Sequence, residues 1–227
     1  MNALNILIIG AGGVASYLTP VIARLGVIKV NATIMDGDVL EERNLDRQLF
    51  PKLMIGQNKA KALVTITNGN TLFRYIPHYF NPNTIQLANE TKPDCVICLV
   101  DNKKSRVAIY EWAMEQGHHF ITASNELFDA SADYVHPDWH KTSLCLLQRF
   151  PDLLSSSDED GGISCTGVMG DKFPQLAIAN QAAATMALSL LWTKVINQAE
   201  VSEQAMKYIP HHISRTISNW TIQCKED

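Results

Sequence analysis

The first 125 residues alternate short apolar runs with segments in which apolar residues recur every three or four positions. The apolar runs predict β-strands at residues 4–9, 30–35, 72–76, 95–100 and 120–123. The helical spacing predicts α-helices at residues 14–25, 59–67, 83–89 and 105–116. Because strands and helices alternate, and residues 95–100 are almost all apolar, the pattern predicts an α/β fold with a doubly wound, mainly parallel sheet.

The second half of the chain has a different pattern. Residues 132–135 and 143–147 are predicted to form short antiparallel strands, and residues 213–223 a final strand. Residues 153–162 are rich in serine, acidic residues and glycine, which predicts a mobile loop. Residues 175–195 are predicted to form a long helix, and polar residues such as Asn180 inside it indicate a buried helix rather than a membrane span.

Composition narrows the class of protein. The chain has 227 residues, of which 46% are hydrophobic, and a formal net charge of −4, as expected for a single α/β domain. Nothing in that charge balance predicts binding to nucleic acid or an anionic membrane, which requires clustered lysine and arginine. The chain starts with an apolar strand and shows no signal peptide, so a cytoplasmic location is expected.

The five cysteines are expected to be free thiols, because their number is odd and nothing indicates secretion. Cys95 and Cys98 form a C-x-x-C inside a predicted strand, where alternation places the two side chains on opposite faces. A second C-x-x-C is absent from the sequence, so no zinc site is expected.

A glycine-rich turn follows the first predicted strand and opens the first predicted helix. Gly10, Gly12 and Gly13 can let the backbone approach a phosphate, and the helix start supplies N–H donors. Asp36 ends the second predicted strand, where a carboxylate can bind ribose hydroxyls. These features fit a dinucleotide-dependent enzyme equally well, and close packing of helix on strand explains the glycines in part.

A longer run separates these possibilities. It reads DGDVLEERNLDRQLF from Asp36 and continues with GQNK, which ends at Lys59. The run resembles the D-x-D, N-L-x-R-Q-x-L-F and G-x-x-K motifs of the ThiF/MoeB/HesA family, which includes the E1-like, ubiquitin-activating-type adenylyltransferases. The resemblance covers about residues 4–125, and more loosely residues 165–192.

The resemblance implies a Rossmann-like sheet that binds ATP and Mg²⁺, with roles assigned position by position. The glycine loop of Gly10, Gly12 and Gly13 lies under the nucleotide, and Asp36 binds ribose. The residues implied at the nucleotide, including its triphosphate, are Asp38, Asn44, Arg47, Gln48 and Lys59. Arg47 and Lys59 are also the implied catalytic cations, since charge develops on the phosphate oxygens in the transition state.

Two further residues are candidates for the chemistry. Asp101 follows the predicted strand at 95–100 and is itself followed by Asn102. The resemblance implies that Asp101 is a catalytic residue that binds Mg²⁺. The alternative is that Asp101 caps the following helix. Cys165 precedes the long helix, near a junction where several family members carry a catalytic cysteine. An inert packing residue is the alternative for Cys165.

The implied function is ATP-dependent adenylation of a carboxylate, with the C-terminal Gly-Gly of a small ubiquitin-like or sulfur-carrier protein as the acceptor. The implied organisation is one adenylation domain over residues 1–227 that forms a homodimer. Residues 1–125 would bind the nucleotide and residues 126–227 the acceptor and the second subunit. An NAD(P)-binding oxidoreductase and a non-catalytic partner subunit are the alternatives; the latter is favoured by the short segment before the first strand, where many family members carry an arginine-bearing helix.

Overall fold

The computed structural model describes residues 3–26, 28–67, 71–126, 129–154 and 176–197, together with the backbone of two further strands at 212–216 and 219–223. Its centre is an eight-stranded sheet in the order β3-β2-β1-β4-β5-β6-β7-β8. The strands are β1 (Leu4–Ile9), β2 (Val30–Met35), β3 (Leu72–Ile76), β4 (Cys95–Cys98), β5 (His119–Glu126), β6 (Asp129–Val135), β7 (His212–Thr216) and β8 (Asn219–Gln223).

Five strands of this sheet are parallel and three extend it in antiparallel fashion. Strands β3, β2, β1, β4 and β5 pair in parallel, whereas β6, β7 and β8 each pair antiparallel to the preceding strand. Ile6 of β1 lies between Ala32 on one side and Cys95 on the other. The chain therefore leaves β1 in one direction and returns to its other edge at β4, which creates a switch point where ligands bind in such sheets.

Helices cover both faces of the sheet. They are α1 (Gly13–Ile22), α2 (Lys59–Ile66), α3 (Ile85–Glu90), α4 (Lys103–Glu115), α5 (Leu146–Arg149) and α6 (Ala177–Leu190), the last continuing as a π-helical turn over Leu191–Ile196. The core on one face contains residues of α1, α2 and α6, and the core on the other contains residues of α3, α4 and α5. Strands between two apolar layers must be apolar on both sides, which explains their nearly continuous hydrophobic sequence.

Cys95 and Cys98 confirm the alternation predicted from the sequence. Both are fully buried free thiols, and Cys95 belongs to the core on the α1 face whereas Cys98 belongs to the core on the α4 face. Burial raises the pKa of both thiols, so they are packing residues rather than nucleophiles.

The predicted strand at residues 143–147 is wrong. The chain forms turns there and then α5, because Leu146, Phe150 and Leu153 have helical spacing and pack together on the α4 face. The single strand predicted at 213–223 is instead the two strands β7 and β8, which pair with each other. Most of the predicted loop at 153–162 lies outside the described residues.

None of the helices in the described part of the chain is long and apolar enough to cross a membrane. The predicted helix at 175–195 corresponds to α6 and its π-helical continuation, and α6 packs against α1, β5 and β6. A helix from the second half of the chain thus covers the start of the first helix, where the glycine turn lies.

Candidate functional site

The glycine turn between β1 and α1 contains three glycines with three different environments. Gly10 has φ +101°, and a Cβ atom there would lie 2.8 Å from the carbonyl carbon of Leu99. A Cβ on Gly13 would lie 2.5 Å from Cγ of Asn180 in α6, whereas one on Gly12 would meet no atom of the described residues within 4 Å. Gly10 and Gly13 are therefore required by packing, and Gly12 faces open space at the start of α1.

Asp36 holds this turn against the end of β2. Its Oδ2 accepts a hydrogen bond of 2.6 Å from the backbone N–H of Ala11, and its Oδ1 accepts one of 2.7 Å from Asp38 N–H. Burial raises the pKa of Asp36, and the two backbone hydrogen bonds only partly oppose that effect. The predicted ribose ligand is therefore a carboxylate already directed at the glycine turn.

Asp38, Lys59 and Tyr79 form a connected group beside Asp36. Lys59 Nζ lies 2.9 Å from Asp38 Oδ2, and the Tyr79 hydroxyl donates a hydrogen bond to Asp38 Oδ1. Burial opposes ionisation of Asp38, but the hydrogen bonds from Tyr79 and Lys59 outweigh it and lower the pKa of this carboxyl. The same hydrogen bond raises the pKa of Tyr79 to about 12, so its hydroxyl stays protonated at neutral pH.

Two asparagines shape the segment between Asp38 and Lys59. The Asn58 side chain caps α2 by accepting from Lys61 N–H, and its Nδ2 donates to the carbonyls of Asp36 and Asp38 at 2.8 and 3.1 Å. Asn44 is buried, and its Oδ1 accepts a hydrogen bond of 3.0 Å from Glu41 N–H. The amide oxygen of the predicted triphosphate ligand Asn44 therefore stabilises its own turn.

Arg47 and Gln48 carry buried polar atoms that have no hydrogen-bond partner among the residues that the structure describes. The Arg47 side chain is 10% exposed, and its Nη1 donates to the carbonyl of Arg43 and to Asp46, but its Nε has no hydrogen-bond partner in the described part of the chain. Oε1 of the neighbouring Gln48, which is 6% exposed, also lacks one. A buried donor or acceptor left unpaired costs about 1–3 kcal/mol, so a polar ligand that satisfies these atoms is strongly favoured.

Asp101 lies beyond the end of β4, across the switch point from the glycine turn. The alternative that Asp101 caps the next helix is wrong, because Asn102 is the cap of α4 and its Oδ1 accepts from Ser105 N–H at 2.7 Å. The charge of Asp101 contributes to the raised pKa of Tyr79, which places this carboxylate in the same electrostatic neighbourhood. Arg106 stabilises the turn between β4 and α4, because its Nη2 donates a hydrogen bond of 2.6 Å to the Val100 carbonyl.

The arrangement fits a phosphate ligand that carries a hard cation. Arg47 Nε can donate to a phosphate oxygen, and Gln48 Oε1 can accept from a hydroxyl or a water. The start of α1 lacks a side-chain cap and is open at Gly12, as helix ends that bind anions are. Mg²⁺ needs only one or two protein carboxylates when phosphate oxygens supply its other ligands, and Asp101 can provide one.

No group of three or more potential metal ligands of the His, Cys, Asp or Glu type occurs within the described ranges. A site with one protein carboxylate does not require such a group. Cys165 lies outside the described residues, so its relation to this site stays a prediction.

The structure adds two residues that sequence reasoning did not assign to the site. Asn180 is 1% exposed, and its Nδ2 donates to the Arg47 carbonyl at 3.1 Å. A buried amide in an apolar helix was the available signal for this residue. Tyr79 gave no signal, because it lies in an irregular segment after β3 with no periodic pattern.

The chain is similar in sequence to curated proteins whose names include activating enzymes and adenylyltransferases. The maize protein "Adenylyltransferase and sulfurtransferase MOCS3-2" is 34% identical over 156 residues, which cover 66% of this chain and 31% of that protein. "Ubiquitin-like modifier-activating enzyme 5" from Branchiostoma floridae is 28% identical over 131 residues, which cover 52% of this chain and 32% of that protein. The chain thus spans about a third of the length of these curated relatives.

Solved structures share the fold. That of E. coli MccB with ATP matches with a TM-score of 0.64 and 17% identity, over 98% of this chain and 63% of that one. PaaA matches with a TM-score of 0.65 and 16% identity, over 98% of this chain and 64% of that one. At such identities the likeness shows the fold alone. The model of the ThiF family matches residues 1–223, so the chain belongs to the ThiF family.

Proposed function

We propose that this protein uses ATP to adenylate a carboxylate at the switch point of its sheet. The observation that carries the proposal is a pair of buried atoms on Arg47 and Gln48 that have no partner within the described ranges. Asn180 connects Arg47 to the glycine turn, because it lies against Gly13 and donates to the Arg47 carbonyl. Membership of the ThiF family and relatives that are named adenylyltransferases and activating enzymes support the same reaction. An NAD(P)-dependent reaction would leave the whole segment from Asp38 to Lys59 without a role.

In the proposed reaction, a carboxylate oxygen attacks the α-phosphorus of ATP and the bond to pyrophosphate breaks. The products are an acyl-adenylate and pyrophosphate, and no general base is needed because a carboxylate is already an anion at neutral pH. Negative charge shifts onto the phosphate oxygens in the transition state. Arg47 and Lys59 oppose that charge, and Mg²⁺ held by Asp101 supplies further neutralisation when bound.

The nucleotide is held by the elements that meet at the switch point. The backbone at Gly12 approaches the phosphates, with the partial positive charge of the α1 start behind it. Asp36 accepts from the ribose hydroxyls on lone pairs not used by Ala11 and Asp38. Asn44 and Gln48 complete the wall of the nucleotide pocket, and the Asp38–Lys59 ion pair fixes the lysine before ATP arrives.

We propose that the acceptor carboxylate is the C-terminus of a protein or peptide. Specifically, we propose the C-terminal Gly-Gly of a small ubiquitin-like or sulfur-carrier protein. The names of the relatives support this class, because one is a ubiquitin-like modifier-activating enzyme and another an adenylyltransferase and sulfurtransferase. In the same proposal, residues 126–227 bind the acceptor and form a homodimer.

The test is exchange of labelled pyrophosphate into ATP with a panel of acceptors. Proteins that end in Gly-Gly, the same proteins with an amidated C-terminus, and an unrelated peptide acid form the panel. We expect exchange that requires Mg²⁺ and a free Gly-Gly carboxylate. A chain that binds ATP but exchanges with no acceptor would favour a non-catalytic partner subunit, and a chain that binds NAD(P) in place of ATP would favour the oxidoreductase.

Asp101→Asn is expected to raise the Mg²⁺ concentration needed for half-maximal exchange by at least about tenfold, since even a supporting partner of a metal ligand contributes roughly 10- to 100-fold in affinity. The amide keeps the shape of the side chain but loses the charge that a hard cation prefers. Exchange measured across a Mg²⁺ series checks this, with Asn102→Ala as the control that removes the α4 cap. An unchanged Mg²⁺ dependence in Asp101→Asn would remove this residue from the metal site.

Cys165→Ser tests a step beyond adenylation. If Cys165 takes the acyl group from the adenylate as a thioester, the variant still exchanges pyrophosphate but loses the thiol-sensitive adduct with the acceptor. Serine is a far poorer nucleophile near neutral pH because its hydroxyl stays protonated. Intact-mass spectra of parent and variant measure the adduct, and equal amounts in both would leave Cys165 as a packing residue.

A further inference from the structure

Tyr79 occupies a position that only a glycine at residue 37 permits. Its ring lies over the backbone between Asp36 and Asp38, and a Cβ atom on Gly37 would lie 2.5 Å from Cδ2 of that ring. The φ angle of Gly37 is not in the left-handed region, so the backbone does not by itself require glycine. Gly37 is therefore small because it must accommodate the ring.

The hydroxyl of Tyr79 completes a chain of three polar groups. Tyr79 donates to Asp38 Oδ1, while Lys59 Nζ lies 2.9 Å from Asp38 Oδ2, so each carboxylate oxygen has its own partner. The three partners differ in burial. Tyr79 is 58% exposed, whereas the side chain of Lys59 is 11% exposed. The exposed phenol thus connects to a buried ammonium through a single carboxylate.

We propose that Tyr79 is a positioning residue of the nucleotide site, which holds Asp38 in the rotamer that places the Lys59 ammonium for ATP. This inference rests on the proposed function. A free lysine side chain loses rotamer entropy when it binds a phosphate. Because Asp38 is held at both oxygens and pairs with Lys59, the lysine is already ordered before the nucleotide binds, and less entropy is lost on binding. Asn58 fixes the backbone of the same group, because its Nδ2 donates to the carbonyls of Asp36 and Asp38.

The hydrogen bond from Tyr79 to Asp38 can be detected through the pKa of the Asp38 carboxyl, which depends on the groups around it. Lys59 and Arg43 lower its pKa together with the Tyr79 hydrogen bond, burial raises it, and Asp36 is the neighbouring anion. Removal of the hydroxyl takes away one lowering influence, so Asp38 must titrate at higher pH. When the solution is acidified, a chain without this hydroxyl therefore loses the Asp38–Lys59 ion pair at a higher pH than the parent chain does.

The first experiment compares Tyr79→Phe with Tyr75→Phe, which removes another exposed tyrosine hydroxyl from the neighbouring strand β3. Calorimetric titration with Mg-ATP is expected to show affinity reduced about fivefold in Tyr79→Phe, the factor for one hydrogen bond of ordinary net strength. Tyr75→Phe is expected to match the parent. Carboxyl NMR of Asp38, without nucleotide, is expected to show titration at higher pH in Tyr79→Phe only.

The second experiment tests the packing of the ring without any nucleotide. Gly37→Ala is expected to lower Tm by about 3 °C in the parent, as the loss of roughly one hydrogen bond would in a chain of this size. In a Tyr79→Ala background the same substitution is expected to change Tm by less than about 1 °C, because no ring is left to displace. Equal shifts in both backgrounds would overturn the packing of Tyr79 on Gly37.

The outcomes separate this inference from the proposed function. A parent chain that does not bind Mg-ATP overturns the proposed function and with it the role of Tyr79. A parent that binds Mg-ATP and a Tyr79→Phe variant that binds it equally well overturn the positioning role alone. An Asp38 titration that is unchanged in Tyr79→Phe shows that the hydrogen bond is not formed in solution.

Discussion

Arg47→Ala is expected to slow pyrophosphate exchange by roughly 10²- to 10³-fold, the usual effect of removing one group that stabilises developing charge. The reason is that Arg47 is nearly buried, and none of the described residues is a hydrogen-bond partner of its Nε. Its Nη1 is held by the carbonyl of Arg43, and its own carbonyl is held by Asn180 of α6. Such a preorganised guanidinium loses little entropy when charge develops on a phosphate.

Arg43→Ala is the matched control for this prediction. Arg43 lies four residues before Arg47, in the short helical turn Glu42–Asn44, but its side chain is 55% exposed and pairs with Glu41. We expect exchange within about twofold of the parent rate, as for other surface ion pairs of small energetic value. Exchange should be measured well below the Tm of each variant. A folded Arg47→Ala variant with nearly parental exchange would contradict the assignment of this residue.

The second large effect is expected at the glycine turn, where two neighbouring positions should behave in opposite ways. Gly10→Ala is expected to destabilise the protein by about 3 kcal/mol, because it combines a positive φ with a close backbone contact. Its Cβ would lie 2.8 Å from the carbonyl of Leu99, which belongs to the chain after β4 and cannot move aside. Thermal unfolding should therefore show Tm lowered by roughly 6–12 °C.

Gly12→Ala is the matched substitution that should leave Tm nearly unchanged. A Cβ there meets no atom within 4 Å in the part of the chain that the structure describes, and the φ of −85° suits any residue. The space that it fills is the space proposed for the phosphates, so Mg-ATP affinity should fall while stability is retained. Parental affinity in Gly12→Ala, or a parental Tm in Gly10→Ala, would show that the turn is used differently.

The parallel half of the fold could be predicted from the sequence because its strands are short runs rich in apolar residues that alternate with helical segments. The strands at 4–9, 30–35 and 72–76 were predicted with the bounds that the structure has. Strand β1 places successive side chains in opposite apolar cores from Ile6 to Ile9, which leaves a hydrophobic run in the sequence. Strand β2 alternates instead, with Asn31 and Thr33 between its buried apolar residues. Local pattern and tertiary burial agree there, so the sequence alone was sufficient.

The segment after β6 could not be predicted because its pattern is ambiguous. Leu144, Cys145, Leu146 and Leu147 form a short apolar run, which does not by itself distinguish a buried strand from a helix. The structure forms a turn and α5 instead, and Arg149 of that helix makes a buried ion pair of 2.7 Å with Asp133 on β6. A contact between residues 16 positions apart leaves no periodic trace in the sequence.

The sequence motif identified most residues of the candidate site, but not the contacts between them. The motif identified Asp38 and Lys59 separately, whereas the structure shows them as an ion pair joined to Tyr79. Similarly, the interactions of Asn180 with Gly13 and Arg47 link residues 133 or more positions apart. Roles of single residues can be taken from a motif, but the partners that position them depend on tertiary packing.

The central claim is that a carboxylate oxygen bonds to the α-phosphorus of ATP, and isotope transfer tests it most directly. An acceptor with ¹⁸O in both oxygens of its C-terminal carboxylate is incubated with the protein and Mg-ATP, and the AMP formed after hydrolysis of the acyl-adenylate is examined by mass spectrometry. Water attacks the acyl carbon in that hydrolysis, so AMP keeps the bridging oxygen. We expect one ¹⁸O in AMP, and roughly 10²- to 10³-fold less labelled AMP in the same time from the Arg47→Ala variant. Unlabelled AMP, or ADP as the nucleotide product, would contradict the central claim.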